Sequence, residues 1–232
     1  MTAPVRLVLF DMDGVVVDSE IISLRMLMAE LAQHGVTVDL PYVARHFLGR
    51  SYPVVLAQIR RDFGIALPIG FEADYRARLF AAFAAEGLRA MPHLAALLPR
   101  LAVPYALATS SSPARVAESL RLTGLAAAFA GRISTASEVA RGKPAPDLPL
   151  LAAARAGVAP RHCLLIEDSL AGIAAGLAAG MQVWQFTGGS HLQGMDLPED
   201  PEIVPHRRFA SFADLPALCP QILSPEPAHG PA

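Results

Sequence analysis

The chain has 232 residues, of which 53% are hydrophobic and 17% charged, and 19 Lys and Arg against 21 Asp and Glu leave a formal charge of −2. That apolar share excludes a disordered chain, and the near-neutral balance excludes a broad nucleic-acid-binding face. No apolar run approaches the ~20 residues of a membrane span.

Two cysteines, Cys163 and Cys219, are too few for a disulfide framework or a four-ligand zinc site. They are expected as small buried hydrophobes. The first apolar stretch meets Asp11 too early for a signal-peptide core. A cytoplasmic protein is therefore expected, monomeric or homodimeric, with no membrane or nucleic-acid partner.

Strand-length apolar runs occupy residues 5–10, 104–108, 131–134, 162–166 and 182–186. They are continuous rather than alternating, as in parallel strands covered on both faces. The expected fold class is therefore α/β, with a Rossmann-like parallel sheet. A βα crossover needs one helix, yet residues 11–103 separate the first two strands. Three stripes lie there: Ile21, Leu24, Met28 and Leu31; Val55, Ile59 and Phe63; Phe71, Tyr75, Leu79 and Phe83. Spacings of three and four predict amphipathic helices.

The expected organisation is an α/β core of residues 1–16 and 89–220, with a helical cap over 17–88. A lid over the strand ends is the functional reading of that cap. Ser19 is expected to cap its first helix. Further along, Ser112 and Pro113 start a helix that Gly124 can end, and a second helix runs from Pro146 to Gly157. Gly172, Gly176 and Gly180 leave a smooth helix face for close packing on a sheet. The tail, residues 221–232, is Pro-rich and expected to be disordered.

Polar groups follow the strand ends, where α/β folds place their ligands. Asp11 and Asp13 follow the first strand, Thr109 and Ser110 the second, and Glu167 and Asp168 the fourth, while Lys143 lies in a loop after the third. Four carboxylates in one crevice imply raised pKa values or a bound cation. Mg²⁺ suits such a donor set, being hard and oxygen-preferring. A Lys with Thr and Ser hydroxyls would then hold a phosphate, and a carboxylate can act as nucleophile. Arg50 is the candidate for substrate contact within the cap. The histidines at 34, 46, 93, 162, 191, 206 and 229 show no metal-ligand spacing and are expected at the surface or its boundary.

The ordered set Asp11-Met12-Asp13-Gly14 through Ser19-Glu20, then Thr109, Lys143-Pro144 and Glu167-Asp168-Ser169, resembles the haloacid dehalogenase superfamily. An insertion just after the first motif resembles the capped subclass containing β-phosphoglucomutase-like phosphatases. The loop Phe186-Thr187-Gly188-Gly189-Ser190-His191 is similar to one found among those phosphatases.

The resemblance implies that Asp11 is the nucleophile and Asp13 the general acid–base. It implies that Thr109 binds phosphoryl oxygens and that Lys143 neutralises charge. Mg²⁺ would sit among Asp11, Asp168, Glu167 and the backbone carbonyl of Asp13. The activity so implied is Mg²⁺-dependent hydrolysis of sugar, polyol or sugar-acid phosphates through an aspartyl-phosphate. A phosphosugar mutase is the alternative, although Ser23 stands where resembling mutases carry a His. A phospho-receiver module uses similar residues in a different chain order.

Overall fold

A computed structural model describes residues 3–193 and 200–224. In chain order, β1 (Leu7–Phe10) is followed by four helices, α1 (Glu20–Gln33), α2 (Leu40–His46), α3 (Tyr52–Phe63) and α4 (Phe71–Glu86). After them come α5 (Leu94–Leu97), β2 (Tyr105–Thr109), α6 (Pro113–Leu122), α7 (Ala126–Phe129) and β3 (Ile133–Thr135). The chain continues with α8 (Asp147–Arg155), β4 (Cys163–Glu167), α9 (Leu170–Ala178), β5 (Gln182–Phe186), β6 (Arg207–Phe209) and α10 (Leu215–Leu218).

The six strands form one sheet in the order β3-β2-β1-β4-β5-β6, and every pairing is parallel. Alternation along β1 shows why its residues are apolar throughout. Leu7 and Leu9 pack with Leu148, Ala152 and Ile173 on one face, while Val8 and Phe10 pack with Val116, Phe129 and Phe212 on the other. A strand covered on both sides has no solvent face on which to place polar residues. Phe10 registers with Leu107 of β2 and Ile166 of β4, so β1 is central and its C-terminal end opens between theirs.

Local signals operate as their chemistry requires. The Ser112 hydroxyl accepts from Arg115 N–H at the start of α6, and Pro113 stands at the first helical position. Gly176 faces Leu165 and Val183 so closely that a Cβ would lie 2.6 and 2.7 Å from their methyl groups. Both cysteines are free and buried. None of the helices among the described residues is long and apolar enough to cross a membrane.

Four expectations are corrected. α1 buries Ile22, Leu24, Leu27 and Leu31, whereas Ile21 is 38% exposed, because the helix also turns Glu20 and Ser23 inward. Ser19 holds the N-cap position without a capping bond, since its hydroxyl donates to Asp13 instead. β6 is a sixth strand, short and with two exposed arginines, which suits a sheet edge but carries no apolar run to announce it. Within 221–232, Ile222 is fully buried, Leu223 bridges Leu101, and Ser224 N–H donates to the Arg100 carbonyl. Residues 225–232 lie outside the described residues, and His229 with them.

Candidate active site

The C-terminal edge of the sheet gathers most of the charged candidates. Asp11 extends the β1 ladder by one bond, donating its N–H to Ile166 O. The chain then reverses tightly, with Val16 and Val17 N–H both donating to the Met12 carbonyl. Gly14 makes that reversal at φ +78°, and a Cβ there would also collide with the Asp168 carboxylate. The turn therefore needs glycine twice over, for its backbone and for the space.

Lys143 comes from the loop ahead of α8, and its side chain is entirely buried. Its Nζ donates to Asp11 Oδ1 at 2.5 Å and to Glu167 Oε1 at 2.7 Å. The other Glu167 oxygen accepts from Ser169 N–H and Oγ. Asp11, Glu167 and Asp168 each bring a carboxylate oxygen within 4.8 Å of the others. Burial pushes Asp11 well above the usual carboxylate range, and the neighbouring acids add to this while Lys143 opposes it. Burial likewise raises Asp168, with Glu167 adding repulsion. Burial opposes the Lys143 charge, yet Asp11 and Glu167 outweigh it and hold the ammonium protonated.

Asp168 Oδ2 is buried and makes no hydrogen bond. An orphaned oxygen among three hard carboxylates fits a divalent cation of the Mg²⁺ kind, with Asp11, Asp168 and Glu167 as its protein donors. The Asp13 carboxylate belongs to a separate cluster. Its Oδ1 accepts from Ser19 Oγ at 2.5 Å and from Arg115 Nη2 at 2.7 Å, and its Oδ2 from Ser111 Oγ at 2.5 Å. Burial would raise this carboxyl, but Arg115 and the hydroxyl donors outweigh it and hold Asp13 below its ordinary value.

Thr109 closes β2, buried, with Oγ1 accepting from Ser111 N–H. Ser110 donates across to the Gly49 carbonyl, between α2 and α3, at 2.8 Å. Arg50 is half-buried, and its buried Nε has no hydrogen-bond partner. Asp11, Asp13, Thr109, Ser110 and Arg50 all line one cavity of about 110 Å³, roofed by α1, α3 and α4. Lys143, Glu167 and Asp168 stand behind Asp11 rather than on the cavity wall.

Sequence reasoning missed Arg115, Ser111 and Glu20, which line the same cavity. Burial lifts the Glu20 carboxyl to about 8, with Asp13 adding repulsion. His191, expected near the surface, is 1% exposed. Its Nε2 lies 3.0 Å from Asp168 Oδ2, although neither atom is aligned for a hydrogen bond. The signal that could have found it is its position, in a Gly-Gly-Ser-His turn just beyond the C-terminal end of β5.

Known proteins resemble this chain over most of its length. A family of haloacid dehalogenase-like hydrolases matches residues 5–180. Among curated relatives, 6-phosphogluconate phosphatase of Escherichia coli is 29% identical over 188 residues, covering 81% of this chain and 85% of that one. Hexitol phosphatase A of the same organism is 33% identical over 189 residues, covering 75% and 80%. A solved haloacid dehalogenase family hydrolase from Deinococcus radiodurans, with bound phosphate and sodium, superposes with a TM-score of 0.71. It is 35% identical and covers 96% of this chain and 99% of its own. The chain belongs to the haloacid dehalogenase-like hydrolases.

Proposed function

We propose that this hydrolase is a Mg²⁺-dependent phosphatase of small phosphorylated metabolites. The observation that carries the reading is the Lys143–Asp11 pair at the end of β1, backed by Glu167 and Asp168, with Asp11 facing the cavity beneath α1 and α3. Similarity to phosphatases named for 6-phosphogluconate and hexitol phosphates supports sugar-acid, sugar or polyol phosphates as the class. Helices α1–α4 would act as a cap, leaving room for a small molecule.

The Asp11 carboxylate would attack phosphorus, forming an O–P bond as the ester P–O bond breaks. Asp13, having taken a proton from solvent as its donors let go, would give that proton to the leaving oxygen. It would then take one from a water whose oxygen attacks the aspartyl-phosphate, releasing phosphate and restoring Asp11. Such general acid–base work contributes ~10²–10⁴-fold in typical enzymes. Lys143 holds Asp11 in place and offsets phosphoryl charge, and Thr109 would donate to a phosphoryl oxygen. When bound, Mg²⁺ supplies the positive charge that lets Asp11 and Asp168 stay ionised side by side.

The test is phosphate release from sugar, polyol and sugar-acid phosphates with Mg²⁺ and with chelator, Asp11→Asn running beside the wild type. Release by the wild type with Mg²⁺ alone is expected. Interconversion of a phosphosugar without release would replace hydrolysis with a mutase, and equal release by Asp11→Asn would remove Asp11 as nucleophile.

A further inference from the structure

Arg115 occupies the first turn of α6, where its positive charge faces the positive end of the helix dipole. Such a placement is unfavourable unless a specific anion compensates it. In the structure that anion is Asp13, reached by Nε at 3.2 Å and Nη2 at 2.7 Å. The same Nη2 donates to Ser23 Oγ of α1 at 2.8 Å, and the guanidinium lies 5.5 Å from the centre of the Phe83 ring of α4. Arg115 therefore ties Asp13 of the sheet edge to two of the helices that roof the cavity.

Held this way, Asp13 Oδ1 is filled, and Oδ2 has room for one more partner beside Ser111. Oδ1 takes Ser19 and both Arg115 nitrogens, and Oδ2 takes Ser111. A leaving oxygen can reach Oδ1, the oxygen that Arg115 holds, only if one of these donors lets go. Ser111 lines the cavity as well, but Arg115 is the donor that an anionic ligand can draw away, because a guanidinium exchanges one anion for another. The same wall carries two further arginines beside the acids Glu20 and Glu72. Arg76 is paired with Glu72, but the buried Nε of Arg50 is unpartnered.

We propose that Arg115 is a specificity residue: it selects phosphomonoesters that carry a second anionic group, and in turning to that group it releases Asp13 to the leaving oxygen. This rests on the phosphatase reading above and names its substrate class. The shared chemistry is an anion held apart from the scissile phosphate, either a carboxylate or a second phosphate. A neutral polyol phosphate would enter the same cavity without prising Arg115 from Asp13.

The experiment compares three substrates on one carbon skeleton: a hexitol 6-phosphate, the corresponding aldonic acid 6-phosphate and a hexose bisphosphate. In the wild type, kcat/KM for at least one anion-bearing substrate should exceed that for the hexitol phosphate by tenfold or more, and which one leads separates carboxylate from phosphate. Arg115→Met should erase most of that ratio, and Arg115→Lys should restore part of it. An Arg115→Met ratio equal to that of the wild type would overturn the proposal.

Binding to Asp11→Asn protein by calorimetry keeps the two readings distinguishable. A tenfold tighter Kd for an anion-bearing ligand, lost on adding Arg115→Met, supports Arg115 even if no substrate is hydrolysed. Equal Kd values across the three ligands overturn Arg115 even if all are hydrolysed. Should Arg115→Met fail to fold, Arg115→Lys alone decides, since a planar fork and a point charge bind a carboxylate differently.

Discussion

Lys143 reaches Asp11 with a 2.5 Å contact in which one side chain is wholly buried and the other 5% exposed. An ammonium so placed, shared with Glu167 at 2.7 Å, cannot be deleted without stranding two acids in the interior. Lys143→Met should therefore lose activity and also destabilise the fold by about 3–5 kcal/mol, the usual cost of breaking a buried pair from one side. Urea denaturation beside phosphate release measures both. A variant of wild-type stability would show that water or ions already screen the pair.

The acids and Lys143 could be read from sequence because each interrupts an apolar strand run or its connecting loop, and in a parallel sheet those interruptions converge on one edge. Arg115 was not legible in the same way. It stands alone in a helix whose cap, Ser112, accounts for the local sequence, and only its unfavourable charge in the first turn hinted at a buried partner. Ser19 shows the opposite failure. Its position matches an N-cap, but Asp13 offers its hydroxyl a stronger, charged acceptor. The α1 stripe went astray by one position for a related reason, since polar Glu20 and Ser23 are buried at the cavity and the periodicity rule counts only apolar residues as inward.

Gly172 supplies a test of packing behind the Asp11, Glu167 and Asp168 carboxylates. In most helices Gly→Ala stabilises by about 1 kcal/mol. Here a Cβ would overlap the Glu167 carboxylate, which is pinned on its other sides by Lys143 and Ser169. Gly172→Ala should therefore destabilise, by about 1–3 kcal/mol as overpacking does. The thermal midpoint decides the sign, and a rise would mean that Glu167 can move aside freely.

The three clustered carboxylates make opposite predictions with and without a cation. In chelator, Asp168→Asn should match or exceed the wild-type midpoint, because it removes one of three mutually repelling buried acids. With Mg²⁺ at about 100 times its Kd, the wild type should gain about 2.7 kcal/mol and Asp168→Asn much less. Differential scanning fluorimetry in both buffers reads this reversal. A wild-type midpoint indifferent to Mg²⁺ would remove the ion from this site.

Glu20 gives the chain a pH dependence of known sign. Its carboxyl sits at about 8 in the fold against 4.5 as a free group, raised chiefly by burial. Between those values the folded chain binds more protons than the unfolded one, so stability falls as pH rises from about 4.5 towards about 8. The proton that Glu20 retains costs nothing below that window, and above it the full penalty of a buried charge applies. Glu20→Gln carries no such charge. It should match the wild type at pH 5 and exceed it by roughly a few kcal/mol at pH 8.5. Urea midpoints at the two pH values test this. A difference that does not change with pH would mean that Glu20 is ionised throughout, with Arg115 turned from Asp13 towards it.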